Sequence, residues 1–159
     1  MERSNLNGQQ LDEVKLTRAN LYRASLRNAM LNNVDLAGAD LSLANLDSAN
    51  LDGVDLTRAD LTQAVVTGQA SLTNVGLRQA LLAETNLRTA VFTRSDLGGA
   101  NLRDADLGGA WLVSTNLRGA RLDGANLEGT VWSDAICPDG SKSRGNPETC
   151  HGHLTPKSR

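Results

Sequence analysis

Large aromatic side chains are nearly missing from this chain of 159 residues: it has two Trp, one Tyr and one Phe. A core that relies on rings for volume is thereby excluded, and the volume must come from Leu and Ala. Proline is scarce at three residues, and cysteine and histidine number two each. With neither His inside the regular part of the chain, a Ser-His-Asp or Cys-His constellation near a cleft is unavailable. No P-loop or dinucleotide fingerprint is present either. The formal net charge is −2, which supplies neither the basic footprint of a nucleic-acid binder nor a strongly acidic surface. Apolar runs last only a few residues, too short for a membrane-spanning helix. Met1-Glu2-Arg3 lead directly into the regular pattern without the apolar stretch of a signal peptide.

What is present is a ladder of Leu in every fifth position. It runs from Leu6 through Leu61 without a break, continues at Val66, and resumes after one extra residue at Leu72. From there it reaches Leu127 with Phe92 as the one substitute, and ends at Trp132. Two places before the rung the residue is nearly always small, as at Ala24, Ala39, Ala49, Ala100 and Ala120. One place before, it is commonly Asp or Asn, as at Asn20, Asp35, Asp40, Asn50 and Asp106. Five residues advance about 500° around an α-helix, so successive rungs would stand roughly 140° apart and never form one face. A long flat strand fails as well, because an odd period alternates sides. A short extended piece points the small residue and the rung to one side. Each repeat is therefore expected to be a brief extended segment followed by a bend. Gly two places after the rung, as at Gly38, Gly53, Gly99 and Gly119, suits the positive φ of a type II turn.

The motif A-(D/N)-L-x-x, in Ala39-Asp40-Leu41, Ala49-Asn50-Leu51, Ala100-Asn101-Leu102 and Ala125-Asn126-Leu127, resembles the pentapeptide-repeat family across residues 4–136. That resemblance implies an all-β fold, a right-handed quadrilateral β-helix (β-solenoid) with four repeats per coil. Six and a half coils at roughly 4.8 Å each make a rod on the order of 30 Å long. Residues 137–159 are expected to form a separate capping tail. The extra residue, Gln69 or a neighbour, reads as a one-residue bulge at a solvent-facing corner rather than a recognition bump. Thr85, Ser95, Thr115 and Thr130 replace the small inward residue, and their hydroxyls are expected to bond to nearby backbone.

Once a coil is twenty residues, or twenty-one across the insertion, residues can be assigned to faces. One outward column reads Gln10, Met30, Asn50, Ser71, Val91, Trp111, Val131. Val91, Trp111 and Val131 make an apolar stripe, with Val113 beside Trp111. Met30, Val91, Trp111, Val113 and Val131 are the candidate interface, unless the tail folds back over the stripe. Asp35, Asp55 and Asp96 share a second face bordered by Arg18, Arg58, Arg78 and Arg118, while Asp40 and Asp60 share a third; mixed charge of this kind reads as a solvated surface.

In the tail, Cys137-Pro138-Asp139-Gly140-Ser141 is a turn signal. Asn146-Pro147-Glu148-Thr149 suits one short helical turn. Cys137 and Cys150 flank the loop as a disulfide pair would. Free thiols are one alternative, and a zinc site with His151 and His153 is another. The tail is also similar to cysteine-bearing C-termini of some exported or thylakoid-lumen members of the family. A disulfide favours an extracytoplasmic, periplasmic or thylakoid-lumen-like compartment, and free thiols the cytoplasm.

The sequence is thus expected to encode a non-catalytic structural or protein-interaction rod with an unidentified protein partner, no cofactor, no nucleic acid and no membrane. It would be a monomer or an end-to-end homodimer through the N-terminal coil. The family resemblance also implies an alternative, a DNA-mimicking inhibitor of a DNA-handling enzyme such as gyrase.

Overall fold

The structure, a computed structural model, describes residues 1–145 and 148–154. Why five residues make one repeat is visible in the hydrogen bonds of a single unit, Leu46 to Asn50. Leu46 N–H donates to the Val65 carbonyl at 2.7 Å and Ser48 N–H to the Thr67 carbonyl at 2.9 Å, both in the following coil. Asn50 N–H donates to Ala29 of the preceding coil at 2.9 Å, and Ala49 N–H closes the bend on the Leu46 carbonyl at 3.0 Å. The remaining donor, Asp47 N–H, has no backbone acceptor in reach of the ladder. It goes to the Asn45 side-chain oxygen at 3.0 Å. This explains the Asp/Asn column: the side chain before the rung satisfies the one N–H that the solenoid leaves over. The same bond recurs from Ala37 to Asp35, Ser42 to Asp40, Thr62 to Asp60 and Gly98 to Asp96.

Bridges between coils place the four columns of the square. They run Asn5–Ser25–Asn45–Val65, Gln10–Met30–Asn50–Ser71, Lys15–Asp35–Asp55–Gly76 and Asn20–Asp40–Asp60–Leu81, all parallel. The spacing is twenty residues, and it lengthens to twenty-one where a coil crosses the insertion. In the second column the extended pieces lengthen into β1 (Ser71–Thr73), β2 (Val91–Thr93), β3 (Trp111–Val113) and β4 (Val131–Ser133). They form one parallel sheet in that order. In these repeats the residue before the rung is Ser, Val, Trp or Val in place of Asp or Asn, although Leu81 and Arg121 in other columns also lack Asp or Asn and form single bridges. At the corner after β1, Val75 N–H donates to the Ser95 hydroxyl at 3.3 Å, and that hydroxyl donates to the Leu72 carbonyl. Thr115 donates likewise to the Phe92 carbonyl at 3.2 Å, Thr85 to Leu61 at 2.8 Å and Thr130 to Leu107 at 3.0 Å. The inward hydroxyls bond to backbone, as their positions suggested.

Inside the square the rungs and small residues form one continuous core, with Leu21 to Leu117 almost wholly excluded from solvent. Positive φ two places after the rung is a property of the position, since Arg18, Leu43, Gln63, Glu84 and Thr89 adopt it as Gly38 and Gly99 do. At the insertion, Gly68 and Gln69 both take it, with φ of 63° and 60°.

The two ends of the rod differ. In the first coil Leu6, Leu11 and Leu16 are only partly buried and Val14 is 36% exposed. At the other end Trp132, Ala135 and Cys137 are buried beneath the tail. The tail reverses at Pro138–Gly140 and pairs back, Lys142 bridging Ile136 antiparallel, with Ser143 N–H on the Ala135 carbonyl at 2.8 Å. It then forms β5 (Arg144–Gly145) and β6 (Glu148–Thr149), an antiparallel pair. The helical turn expected from Asn146 is therefore corrected at Glu148 and Thr149, which are strand; Asn146 and Pro147 lie outside the described residues. Pairing of Glu148 with Gly145 and of Thr149 with Arg144 in a hairpin outweighs the local Asn-Pro signal. Cys137 and Cys150 form a disulfide with Cα atoms 5.5 Å apart. That takes the two sulfurs away from any zinc site and replaces the free-thiol alternative. His153 Nδ1 instead lies 2.9 Å from Asp139 Oδ2.

Candidate interaction face

The outward side of β1–β4 is built by alternation: each strand buries its rung and turns the residues on either side outward. Those residues are Ser71, Thr73, Val91, Thr93, Trp111, Val113, Val131 and Ser133, none of them charged. The register is direct, Val91 opposite Trp111 and Trp111 opposite Val131, with Thr93 opposite Val113. Trp111 is 52% exposed and Val131 41%; Val91 and Val113 are half-buried. The described part of the tail covers the end of the rod and leaves this face open. Of the residues named from sequence, four come together here. Met30 does not: it is 37% exposed in the same column, but Asn50 and Ser71 separate it from Val91, and it accepts a contact from Gln10 Nε2 at 3.7 Å.

Two neighbours were not foreseen. Gln69 and Thr89, with Val91, Gly109 and Trp111, line a surface groove of about 350 Å³. The groove exists because the corner column falls from Gln69 and Thr89 to Gly109 and Gly129, which leaves room beside the indole. The insertion was the signal in the sequence, and Gln69 stands in the groove wall. Other exposed apolar residues, Leu43 and Leu81, stand outside this sheet.

The remaining faces are polar and internally bonded. Arg78 meets Asp96 at 2.9 Å, Arg88 meets Asp106 at 3.3 Å and Arg27 meets Asp47 at 3.3 Å. Hydrogen bonds hold several carboxyls below their ordinary range: Asp35 through the Ala37 N–H and the Thr17 hydroxyl, Asp47 chiefly through the Thr67 hydroxyl. At Asp106 burial pushes upward, and the Gly108 N–H, Arg88 and Asn126 outweigh it. Carboxylates held ionised in this way are poor proton donors near neutrality. Among the described residues no group of three or more His, Cys, Asp or Glu side chains could hold a metal ion.

Comparison with known proteins bears on this geometry. No curated protein matches the chain. Among solved structures it is similar to HetL, a pentapeptide repeat protein involved in heterocyst differentiation regulation from the cyanobacterium Nostoc sp. strain PCC 7120. The identity is 32%, over 89% of this chain and 76% of that one, with a TM-score of 0.39. It is similar also to a trypsin-treated form of QnrB1, a plasmid-mediated fluoroquinolone resistance protein. There the identity is 21%, over 83% and 71%, with a TM-score of 0.51, a likeness of fold. A pentapeptide repeat protein from the Arabidopsis thaliana thylakoid lumen matches at 23% identity over 82% and 69%, with a TM-score of 0.21. The family model described as pentapeptide repeats matches residues 1–38, 24–63, 70–109 and 100–131 in eight copies. With the five-residue ladder, the square coil and this match in agreement, the chain belongs to the pentapeptide-repeat family.

Proposed function

We propose that this protein is a non-catalytic protein-binding rod and that the outward face of β1–β4 is its contact surface. The observation that carries the reading is the coincidence of three features on one face. It has an uncharged sheet surface, a half-exposed Trp111 at its centre and a groove beside the indole. Burying the exposed half of that indole removes roughly 100 Å² from water, about 2–3 kcal/mol. Aromatic residues next to a pocket are the usual anchors of protein contacts. Among the described residues the interior is filled by Leu, and the Asp139–His153 pair has no nucleophile beside it: Ser141 donates to Asp139 at 2.6 Å and not to the imidazole. The mixed charge of the other faces supports a solvated surface rather than an acidic imitation of DNA. The Cys137–Cys150 disulfide fits work in a compartment that keeps thiols oxidised.

Affinity capture from the native compartment tests the reading, with wild type compared against Trp111→Glu. Loss of a specific bound protein from the variant is the expected result. Identical captured sets, with both proteins folded by circular dichroism, contradict it.

A further inference from the structure

Most arginines along the middle of the rod are matched by acid. Arg27 meets Asp47, Arg78 meets Asp96, Arg88 meets Asp106, and Arg103 and Arg121 share Asp123, all at 3.9 Å or less. Arg94 is not matched. It stands exposed at the corner that follows β2, and no described residue gives its side chain an ion pair or a hydrogen bond. Its neighbours in that corner column are the uncharged Asn74 and Ser114, stacked by Asn74 N–H on the Thr93 carbonyl at 2.9 Å and Arg94 N–H on the Val113 carbonyl at 2.9 Å. Asp134, two coils from Arg94, has an interaction of its own. The corner at the other end of β2 carries no charge: it is Gln69, Thr89 and Gly109, the wall of the groove beside the Trp111 indole. Read along β2 and β3, the face therefore runs from an apolar groove, over Val91, Thr93 and Val113, to one uncompensated positive charge. From Val91 to Arg94 is three residues of extended chain, roughly 10 Å.

Resting on the reading of this face as the contact surface, we propose that what it takes from its partner is a short, extended, acidic peptide segment. One large apolar side chain, Leu or of like size, enters the groove against Trp111, and an Asp or Glu two residues away meets Arg94. Area favours a segment over a folded domain: four three-residue strands offer less than the roughly 800 Å² per partner of a standard stable interface. The groove, at about 350 Å³, lies at the small end of ligand pockets and has room for one side chain. Spacing fits as well. In an extended segment side chains two apart share a side and stand roughly 7 Å from each other, and the length of the Arg94 side chain spans what is left of the 10 Å. The residue between them points to solvent, and the segment's backbone lies over Thr93 and Val113. Charge sets the acidic preference: a carboxylate gives the Arg94 guanidinium the charge-assisted hydrogen bonds it lacks, whereas a basic segment sets like against like. The anchor carries most of the affinity, because an exposed ion pair adds little. The isolated segment is therefore a weak ligand, with a Kd on the order of 1 mM.

The probes are end-blocked pentapeptides, Gly-Leu-Ser-Glu-Gly and its reversed order, titrated from about 0.05 to about 5 mM into the full chain to bracket that Kd. The readout is the indole N–H signal of Trp111 in a heteronuclear NMR spectrum, identified by its loss in Trp111→Phe. At least one of the two orders is expected to shift it and saturate. Ala in place of the peptide's Leu is expected to abolish binding within this range. Lys in place of its Glu is expected to weaken binding about five- to tenfold, and high salt to narrow that difference. Arg94→Glu is expected to invert the preference, so that the Lys peptide binds the variant more tightly than the Glu peptide does. Circular dichroism establishes that the variant is folded; should it not be, the Glu and Lys peptides on wild type decide alone, since there the change is in the peptide. No binding by either order, equal binding of Glu and Lys peptides to wild type, or a folded Arg94→Glu that still prefers Glu overturns the proposal. If any of these occurs while Trp111→Glu still loses a captured protein, this inference alone falls; if the captured sets are identical as well, the contact-face reading falls with it.

Discussion

A five-residue repeat leaves one backbone N–H with nothing to bond to, and the residue before the rung is chosen to receive it. Asn45→Ala removes the acceptor of Asp47 N–H. It is expected to cost about 1 kcal/mol, as loss of a helix cap does, while Asn45→Asp stays near wild type. In a chain of this size that is a fall of roughly 2–4 °C in Tm, read by a thermal melt. The second local demand is positive φ two places after the rung. Thr89, a β-branched residue, meets it at 59° with its hydroxyl folded onto the Arg88 carbonyl at 2.6 Å. Such residues are strained in this region and Asn is not, so Thr89→Asn is expected to stabilise by about 0.5–1 kcal/mol. A melt no higher than wild type contradicts that. The Gly in many repeats hinted at the bend in the sequence. The role of the Asp/Asn column was not legible there, because it emerges only when every N–H of a coil is followed to its acceptor.

At the scale of the element, stability passes from coil to coil, and the rung decides how much each stack holds. Leu77 is fully buried in mid-rod, whereas Leu6 is partly exposed in the first coil. Leu77→Asp is expected to break the stack and abolish a cooperative circular dichroism melt, while Leu6→Asp costs far less. Equal melts for the two contradict the order of burial. The tail behaves as a strap over the last coil. Asp139 accepts from the Ser141 hydroxyl at 2.6 Å, the Ser141 N–H at 2.8 Å and His153 at 2.9 Å, in that order of effect, and its carboxyl is held well below the ordinary range. A lowered carboxylate contributes stability that is complete above the unfolded value of about 3.9 and is lost as pH falls from there toward the folded value. The strap is therefore expected to loosen in acid below about pH 4. Trp132 emission in a Trp111→Phe background should shift to the red, and Asp139→Asn should remove the acid step. A shift that appears on raising the pH instead contradicts the sign. This strap was half legible. The cysteine pair and the turn stood out in the sequence, but Asn-Pro pointed to a helical turn where Glu148 and Thr149 pair with Gly145 and Arg144 as strand.

At the scale of the molecule, the ladder works as a ruler. Its Leu fix a square rod, and the period assigns every other residue to a face. That made the Val91–Trp111–Val131 column legible in the sequence, since it needs only addition. It did not show that Met30 is isolated from the column's apolar end or that Gln69 and Thr89 wall a groove. Both depend on how neighbouring corners stand in space. The disulfide, too, is a matter for the whole chain: closing a loop of this size stabilises the cap by roughly 3 kcal/mol, so reductant is expected to lower the melting temperature by several degrees. The contact face depends on the coil register that sets Val91, Trp111 and Val131 in one line. Spin labels on Val91→Cys and Val131→Cys measure it directly, because Cys137 and Cys150 are already joined and leave only the new thiols to react. Two coils separate the labelled positions, so the account predicts backbones roughly 10 Å apart and strong dipolar broadening; a separation beyond about 20 Å, or no broadening in a folded protein, contradicts it.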